Sequence, residues 1–282
     1  MPDQQRRLVQ WPLDISDVLR DAHLGGTRGQ RSNRALNGWD EMFDDQPVQS
    51  IGSLAVSPTN PNIVWAGTGE GKIRSHISIG QGVYKSTDNG ETWNKLASTQ
   101  DDNPTAFNND FDFVSKIVIH PTSGNLYIAT NGFGIFRSTD GGDSFSLVLG
   151  GPADHKWADI AVSSNGTLLA ILSEGVFSPP SDNPGVYRSK DDGDNWIEIT
   201  PNDFPSSHDR SVIGMAPSNP DAAYILTYDY TGSGSKDGVY LFKVTSIAAS
   251  TFSNRTDNIP DFGDPVGKMD AQGGYNMVVS VK

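Results

Sequence analysis

The sequence predicts an all-β fold, a β-propeller of four-stranded antiparallel blades with about four blades and partial blades at both ends. A twelve-residue pattern, G-(V/I)-(Y/F)-(K/R)-S-x-D-x-G-x-x-(W/F), begins at Gly82, Gly134 and Gly185 and is called the box below. The copies are 52 and 51 residues apart, and a regular spacing of this size indicates a repeat architecture. Short apolar runs separated by turn residues precede each copy, which predicts four strands per repeat, the number in a propeller blade.

Little regular structure is predicted for the residues before the first repeat. Residues 1–37 form a predicted extension with one short helix, because the apolar residues between Ile15 and Ala22 recur at the spacing of one helix face. Trp39–Phe43 resembles the residues that follow the second glycine of the later boxes. We therefore predict that it is the outermost strand of an incomplete blade, at the start of a propeller domain over residues 38–282.

Each repeat begins with a predicted β-hairpin. In the first repeat, the apolar runs Ile51–Pro58 and Ile63–Gly67 are separated by an Asn/Pro turn, as is typical of a hairpin of buried strands. The box supplies the third predicted strand, and the fourth follows it. The predicted repeats extend approximately over residues 51–97, 114–149, 157–200 and 211–254, followed by a partial repeat over residues 275–282.

The fourth repeat keeps the start of the box and loses the rest. Gly238-Val239-Tyr240 is followed by Phe242 where the box has serine and by Val244 where it has aspartate. The fifth repeat offers a single strand from Tyr275 to Val281. Because a closed propeller needs its last blade completed, we expect either a fragment of a larger propeller or an open arc of four blades.

The conserved chemistry of the box predicts a tight turn between the third and fourth strands of a blade. Serine and aspartate side chains can accept hydrogen bonds from the N–H groups of such a turn, glycine permits a positive φ, and the aromatic residue can pack between neighbouring sheets. A calcium loop would need further carboxylates and a terminal glutamate, so no metal site is predicted. The structural residues of the three boxes are Ser86, Asp88, Gly90 and Trp93; Ser138, Asp140, Gly142 and Phe145; and Ser189, Asp191, Gly193 and Trp196.

These copies resemble the Asp-box or BNR repeat of sialidases, sortilin-like sorting receptors and xyloglucanase-type glycoside hydrolases. The stretch Ser57–Glu70, with Arg74-Ser75 and Gly82–Ser86, is similar to bacterial sortilin-like BNR proteins, many of which are exported. The resemblance implies a secreted or cell-surface bacterial protein, with boxes on the blade rim, away from the ligand face. The motif therefore indicates a fold and not an activity.

Composition excludes several classes of partner. The chain has 34 acidic and 21 basic residues and a net charge of −13, which opposes binding to a phosphate backbone. No apolar run approaches the roughly 20 residues of a membrane-spanning helix, and the first residues lack the pattern of a signal peptide. Cysteine is absent, so no disulfide can form. No cofactor is expected.

A ligand site is expected at one mouth of the central channel, where the loops do not repeat. The candidate ligand-binding residues are Glu70, Arg74, His76, Arg210 and Tyr228, and the candidate catalytic carboxylates are Glu70, Asp112, Glu174 and Asp229. Glu70 and Arg74 either face a ligand or form a salt bridge between blades.

The sequence favours a module that binds a glycan or a protein at the channel mouth without catalysis of its own. By resemblance, a sialidase would need three clustered arginines, and the candidate loops contain only Arg74 and Arg210. An inverting hydrolase of xyloglucanase type would need two carboxylates about 6.5–9.5 Å apart. The loop carboxylates could supply such a pair, so the alternative is part of a sialidase-like or xyloglucanase-like glycoside hydrolase.

Overall fold

A computed structural model describes residues 42–70, 78–100, 109–155, 157–173, 183–229, 231, 238–260 and 277–281. Within this part of the chain, sixteen strands form four sheets, and each sheet consists of four consecutive antiparallel strands. This architecture confirms the predicted fold class. The predicted extension over residues 1–37 and its helix lie outside the described residues.

The four sheets are numbered as blades 1 to 4. Blade 1 contains β1 (Ile51–Val56), β2 (Val64–Thr68), β3 (Val83–Ser86) and β4 (Asn94–Lys95), and blade 2 contains β5 (Val114–Ile119), β6 (Leu126–Thr130), β7 (Gly132–Ser138) and β8 (Ser146–His155). Blade 3 contains β9 (Trp157–Val162), β10 (Leu168–Ser173), β11 (Gly185–Ser189) and β12 (Ile197–Glu198), and blade 4 contains β13 (His208–Met215), β14 (Ala223–Asp229), β15 (Val239–Ser246) and β16 (Thr251–Asn254). Two short 3₁₀ helices follow blades 1 and 4, at Ala97–Thr99 and Thr256–Asn258. No helix in the described part of the chain is long and apolar enough to span a membrane.

Asparagine side chains shape three of the four hairpin turns between first and second strands. Asn60 Oδ1 accepts a hydrogen bond from the backbone N–H two residues later at 3.1 Å. Asn165 and Asn219 form the same contact at 3.1 and 3.0 Å. This local bond, typical of Asx turns, lets the chain reverse between two apolar strands without tertiary partners.

Neighbouring blades bury the sheet faces against each other. Every residue of β2, β6 and β10 is buried, which explains why these strands read as continuous apolar runs. One apolar cluster joins blades 1 and 2, a second joins blades 2 and 3, and a third joins blades 3 and 4. These clusters include, respectively, Trp65 and Leu126, Tyr127 and Leu168, and Ile171 and Ile225.

The three boxes form the same turn. In the first, Ser86 Oγ accepts a hydrogen bond from the N–H of Gly90 at 2.8 Å, and Asp88 Oδ1 accepts one from the N–H of Thr92 at 2.9 Å. The second glycine of each box has the expected positive φ, and so does the residue before it. The values are 63° and 87° at Asn89 and Gly90, 73° and 104° at Gly141 and Gly142, and 59° and 81° at Asp192 and Gly193.

The aromatic residues of the boxes are partly buried. Phe145 packs against the cluster between blades 1 and 2, with its ring 5.3 Å from that of Phe111. Trp196 packs against the cluster between blades 2 and 3. Trp93 instead contacts Phe43, at 5.2 Å, on the face of blade 1 that blade 2 does not cover.

The basic residue at the fourth position of each box links one blade to the next. Lys85 Nζ donates to the carbonyl of Gly141 at 2.8 Å, and the Arg137 guanidinium donates to the carbonyl of Asp192 at 2.5 Å. Each acceptor carbonyl belongs to the first of the two positive-φ residues in the box of the following blade. Sequence reasoning did not predict these contacts, because they join residues 56 and 55 positions apart.

In blade 4, hydrogen bonds to an aspartate outside the third strand replace those of the box. Phe242 and Val244 are fully buried in the cluster between blades 3 and 4, so β15 extends past the place where the other blades turn. Asp221, from the preceding hairpin, accepts hydrogen bonds from Ser246 Oγ and from the N–H of Ala248, both at 2.6 Å. An aspartate from elsewhere in the blade therefore holds this turn.

Two predicted strands at the ends of the propeller are not formed in the residues of them that the structure describes. The strand over Trp39–Phe43 is wrong for its two described residues, which lie in bends. The Phe43 ring packs edge-on against Tyr84 at 5.1 Å, so burial against blade 1 sets this conformation. Residues 277–281 are likewise outside any sheet, because no described strand pairs with them, although Met277 packs against blade 4.

Candidate functional site

The first strands of the four blades line one cavity, called the central channel here. Its volume is about 1130 Å³, and its walls are β1, β5, β9 and β13 together with residues 277–279. Small-molecule sites are typically about 300–1,000 Å³. The channel is therefore large enough for a ligand of several rings.

One end of the channel is polar and is called the channel mouth. It lies where the first strands begin and the second strands end, as the pairing of Ile51 with Thr68 and of Val114 with Thr130 shows. All four blades contribute to it. Its lining residues include Glu70, Asn131, Trp157 and Arg210.

The backbone holds the mouth residues in place. Glu70 follows β2, and its N–H donates to the carbonyl of Ser78 at 2.9 Å. Asn131 follows β6, and its N–H donates to the carbonyl of Phe113 at 3.0 Å. These bonds fix the point at which each side chain leaves the sheet.

Arg210 and Trp157 form a cation–π pair across blades 3 and 4. The Arg210 guanidinium carbon lies 5.1 Å from the centre of the Trp157 ring, a geometry that attracts the cation to the π-face. Both residues line the channel at the mouth.

A second layer of polar residues lies just inside the mouth. Ser53, Lys116 and Asp159 occupy equivalent positions on β1, β5 and β9. Ser53 Oγ accepts a hydrogen bond from the N–H of Ile117 at 3.0 Å, and Asp159 Oδ2 accepts one from the N–H of Ile213 at 2.7 Å. Both bonds tie a blade to the following blade along the channel wall.

Asp159 is the most buried charged residue of this wall, with 8% of its surface exposed. Burial raises the pKa of its carboxyl above the ordinary value, and the charges of Lys116 and Arg210 act in the opposite direction. The two cations therefore flank a carboxylate that the fold desolvates.

Register shifts occur at the mouth in three of the four first strands. They lie between Ile51 and Ser53 in β1, between Val114 and Lys116 in β5, and near the start of β13. Such irregularities change the direction of side chains and are common beside functional sites. Here they coincide with the change from the polar mouth to the regular part of the channel wall.

The predicted site residues divide into three groups. Glu70 and Arg210 line the channel, so the structure brings these two to the same cavity. Asp112 and Asp229, each 2% exposed, and Tyr228 are not among the lining residues of the described channel. Arg74, His76 and Glu174 lie outside the described residues.

The buried carboxylates support local turns. Asp112 Oδ2 accepts a hydrogen bond from the N–H of Asn109 at 3.0 Å. Asp229 Oδ1 accepts hydrogen bonds from the N–H and the hydroxyl of Thr231, at 2.8 and 2.6 Å. Tyr228, also predicted to bind ligand, packs beside an apolar cluster of blade 4.

Sequence reasoning missed four channel residues. Lys116 and Asp159 each interrupt an apolar first strand at the same position, Val-Ser-Lys-Ile-Val-Ile and Trp-Ala-Asp-Ile-Ala-Val. That shared position was a usable signal, because a charged residue within a buried strand needs an explanation. Asn131 and Trp157 gave no such signal. Within the described ranges, no group of three or more His, Asp or Glu residues is placed to hold a metal ion.

The fold and the channel together define a β-propeller whose first strands surround a cavity with one polar mouth. No protein-family model matches the chain. It is 29% identical over 245 residues to xyloglucanase Xgh74A of Acetivibrio thermocellus, an alignment that covers 77% of this chain and 26% of that protein. It is 25% identical over 220 residues to a xyloglucanase of a Paenibacillus species, covering 72% of this chain and 20% of that protein.

A solved structure has the same fold. The Niastella koreensis GH74 enzyme superposes with a TM-score of 0.54 at 22% sequence identity, over 73% of this chain and 30% of that chain. In the two sequence alignments, this chain spans about a quarter of the length of the curated relatives that it matches.

Proposed function

We propose that this chain is a segment of a glycan-active β-propeller of glycoside hydrolase type, and that its channel mouth contacts the glycan. The observation that carries the proposal is the alignment of 245 residues with a xyloglucanase, which includes most of the described blades. The polar mouth adds support, since a carboxylate, an amide and an aromatic residue are suited to binding sugar hydroxyls and ring faces. We further propose that the boxes are Asp-box repeats and that the protein is secreted.

Glu70 is the candidate with the most direct role. It is partly buried, follows β2 and lines the mouth. A carboxylate in this position can accept hydrogen bonds from sugar hydroxyls, and a hydrogen bond to a charged group contributes about 1.5–3 kcal/mol. In a hydrolase, the same carboxylate would be one member of the catalytic pair.

A second candidate function is binding without hydrolysis, to a glycan or a protein. It is favoured by the use of Asp112 and Asp229, two of the four candidate carboxylates, to hold local turns. A hydrolase would bind and cleave a glycan at the channel mouth, whereas a binding module would only bind it. One set of variants, measured for both binding and hydrolysis, separates the two functions.

The experiment measures xyloglucan-oligosaccharide binding by calorimetry and hydrolysis by release of reducing ends, with the 282-residue chain. Glu70→Gln is expected to weaken binding by roughly tenfold or more, because a neutral amide accepts weaker hydrogen bonds. Glu91→Gln, at an exposed position of the first box, is the matched control and should bind as the parent does.

Hydrolysis that disappears in Glu70→Gln supports the hydrolase. Binding without hydrolysis supports the second candidate. If the parent binds neither xyloglucan oligosaccharides nor other β-glucan oligosaccharides, the proposed function is wrong.

A further inference from the structure

The channel wall carries an ammonium group that no part of the described structure neutralises directly. Lys116 is partly buried on β5 and lines the channel. Its Nζ forms no hydrogen bond or ion pair with any described residue, and Asp159 acts on it only through its charge. A partly buried cation interacts with an anion more strongly than a solvated one does.

Asp159 is a poor direct partner for that ammonium. Its Oδ1 accepts a hydrogen bond from the N–H of Ile160 at 3.0 Å, and its Oδ2 accepts one from the N–H of Ile213 at 2.7 Å. Both oxygens are thus engaged by the backbone. Beyond Asp159, on blade 4, Arg210 adds a second cation.

The charged side chains that line the channel balance each other in a chain that is otherwise acidic. Lys116 and Arg210 are opposed by Glu70 and Asp159, whereas the chain as a whole has a net charge of −13. An anionic ligand therefore meets less repulsion in the channel than elsewhere on the molecule, and the Lys116 ammonium is a cation there that can contact it.

Asn131 is a second polar side chain of the channel lining that has no hydrogen-bond partner in the described structure. The residue is 7% exposed, lies at the mouth on the same blade as Lys116, and lines the channel. Neither Oδ1 nor Nδ2 of its side chain has a hydrogen-bond partner in the described structure. A buried amide without partners is costly, and a hydroxyl group could serve it as both donor and acceptor.

We propose that the central channel binds a carboxylate-bearing saccharide, with Lys116 contacting the carboxylate of a uronate unit and Asn131 contacting a hydroxyl group of the same ligand. The inference rests on the proposed function and narrows its ligand from a glycan in general to an acidic glycan. It concerns the wall inside the mouth, where sequence reasoning placed no candidate.

The test compares an oligogalacturonide with its fully methyl-esterified form, which lacks the carboxylate charge and carries a methyl group on each unit instead, by calorimetry with the 282-residue chain. The parent is expected to bind the acid roughly tenfold more tightly than the ester, and the preference should shrink as salt is added. Lys116→Met should abolish the preference, whereas Lys116→Arg should retain it because the positive charge remains.

Asp159→Asn is expected to change the affinity for the acid in the opposite direction to Lys116→Met. It removes the negative charge beside Lys116, so binding of the acid is expected to tighten severalfold while binding of the ester stays the same. A gain in affinity cannot be produced by a failure to fold.

The outcomes separate this inference from the proposed function. Equal binding of acid and ester, together with binding of xyloglucan oligosaccharides, would overturn the inference and leave the proposed function standing. If no oligosaccharide binds, both are overturned.

Discussion

At the scale of single residues, the box is a self-contained network of short hydrogen bonds. Ser86 Oγ donates to Asp88 Oδ1 at 2.7 Å, and Thr92 Oγ1 donates to Asp88 Oδ2 at 2.6 Å. The hydroxyl and the N–H of Thr92, followed by the hydroxyl of Ser86, lower the pKa of Asp88 to about 2. The fold therefore stabilises the ionised carboxylate.

This network predicts the pH dependence of Asp88→Asn. A folded pKa below the ordinary value contributes stability that is present above about pH 4 and lost as the pH falls towards 2. The variant should melt at a lower temperature than the parent at pH 7, and the difference should narrow between pH 4 and pH 2. Thermal denaturation followed by circular dichroism across this range measures it.

Asp143→Asn is the control for that prediction. Asp143 lies exposed in the second box and makes no hydrogen bond within the described structure. Its substitution should leave the melting temperature nearly unchanged at every pH. A melting difference for Asp88→Asn that stays constant from pH 7 to pH 2 would show that the carboxylate charge does not stabilise the turn.

At the scale of elements, the third strand of each boxed blade contacts the next blade through one cation. Arg188 on β11 is buried and donates to the carbonyls of Ile247 and Ala248, both at 2.7 Å, in the turn after β15. The contact persists although blade 4 has lost the box. The cation therefore recognises backbone carbonyls of the neighbouring turn and does not require the box sequence there.

Arg188→Met is expected to destabilise the protein by about 2–3 kcal/mol. The substitution keeps the apolar stem but removes hydrogen bonds from a charged donor and leaves carbonyl groups without that partner. Urea unfolding followed by tryptophan fluorescence measures the change.

Lys190→Met is the matched variant for that measurement. Lys190 Nζ reaches the same Ala248 carbonyl at 3.3 Å from an exposed position. Its loss should cost no more than about 0.5 kcal/mol, because exposed contacts contribute little. Equal effects for the two variants would contradict the importance given to the buried contact between blades.

At the scale of the whole molecule, stability depends on the three apolar clusters that each join two neighbouring blades. Ile171 is fully buried in the cluster between blades 3 and 4. Removing most of its side chain leaves a cavity, and such changes typically cost about 2–5 kcal/mol. Because each blade packs on its immediate neighbours, the effect should weaken with distance along the arc.

Ile171→Ala is therefore expected to lower the free energy of unfolding by about 3 kcal/mol. Hydrogen exchange should accelerate most in β9 to β16 and least in β1 to β4. Exchange that accelerates equally in all four blades would mean that the molecule opens as a single unit. Leu147→Ala, at a half-exposed position on β8, is the control and should change exchange little.

The repeat, the turns and the blade architecture could be predicted from the sequence, because short-range rules govern them. Serine, aspartate and glycine at fixed spacing specify the turn after β3 without help from distant residues. Apolar runs separated by asparagine specify a hairpin in the same way. The loss of the box in blade 4 could also be predicted from Phe242 and Val244. The hydrogen bonds by which Asp221 replaces the box aspartate could not.

The channel residues and the contacts between blades were decided only by the tertiary structure. Lys116 and Asp159 come together because the first strands of different blades share one cavity, and Asn131 joins them from the end of the second strand of blade 2. Their alignment depends on sheet register and blade packing. Asp112 and Asp229, which lie in the predicted loops, hold turns instead. The sequence determined the local backbone of each blade, and the arrangement of blades determined which side chains line the channel, because those side chains lie on different strands and are brought together by the packing of the blades.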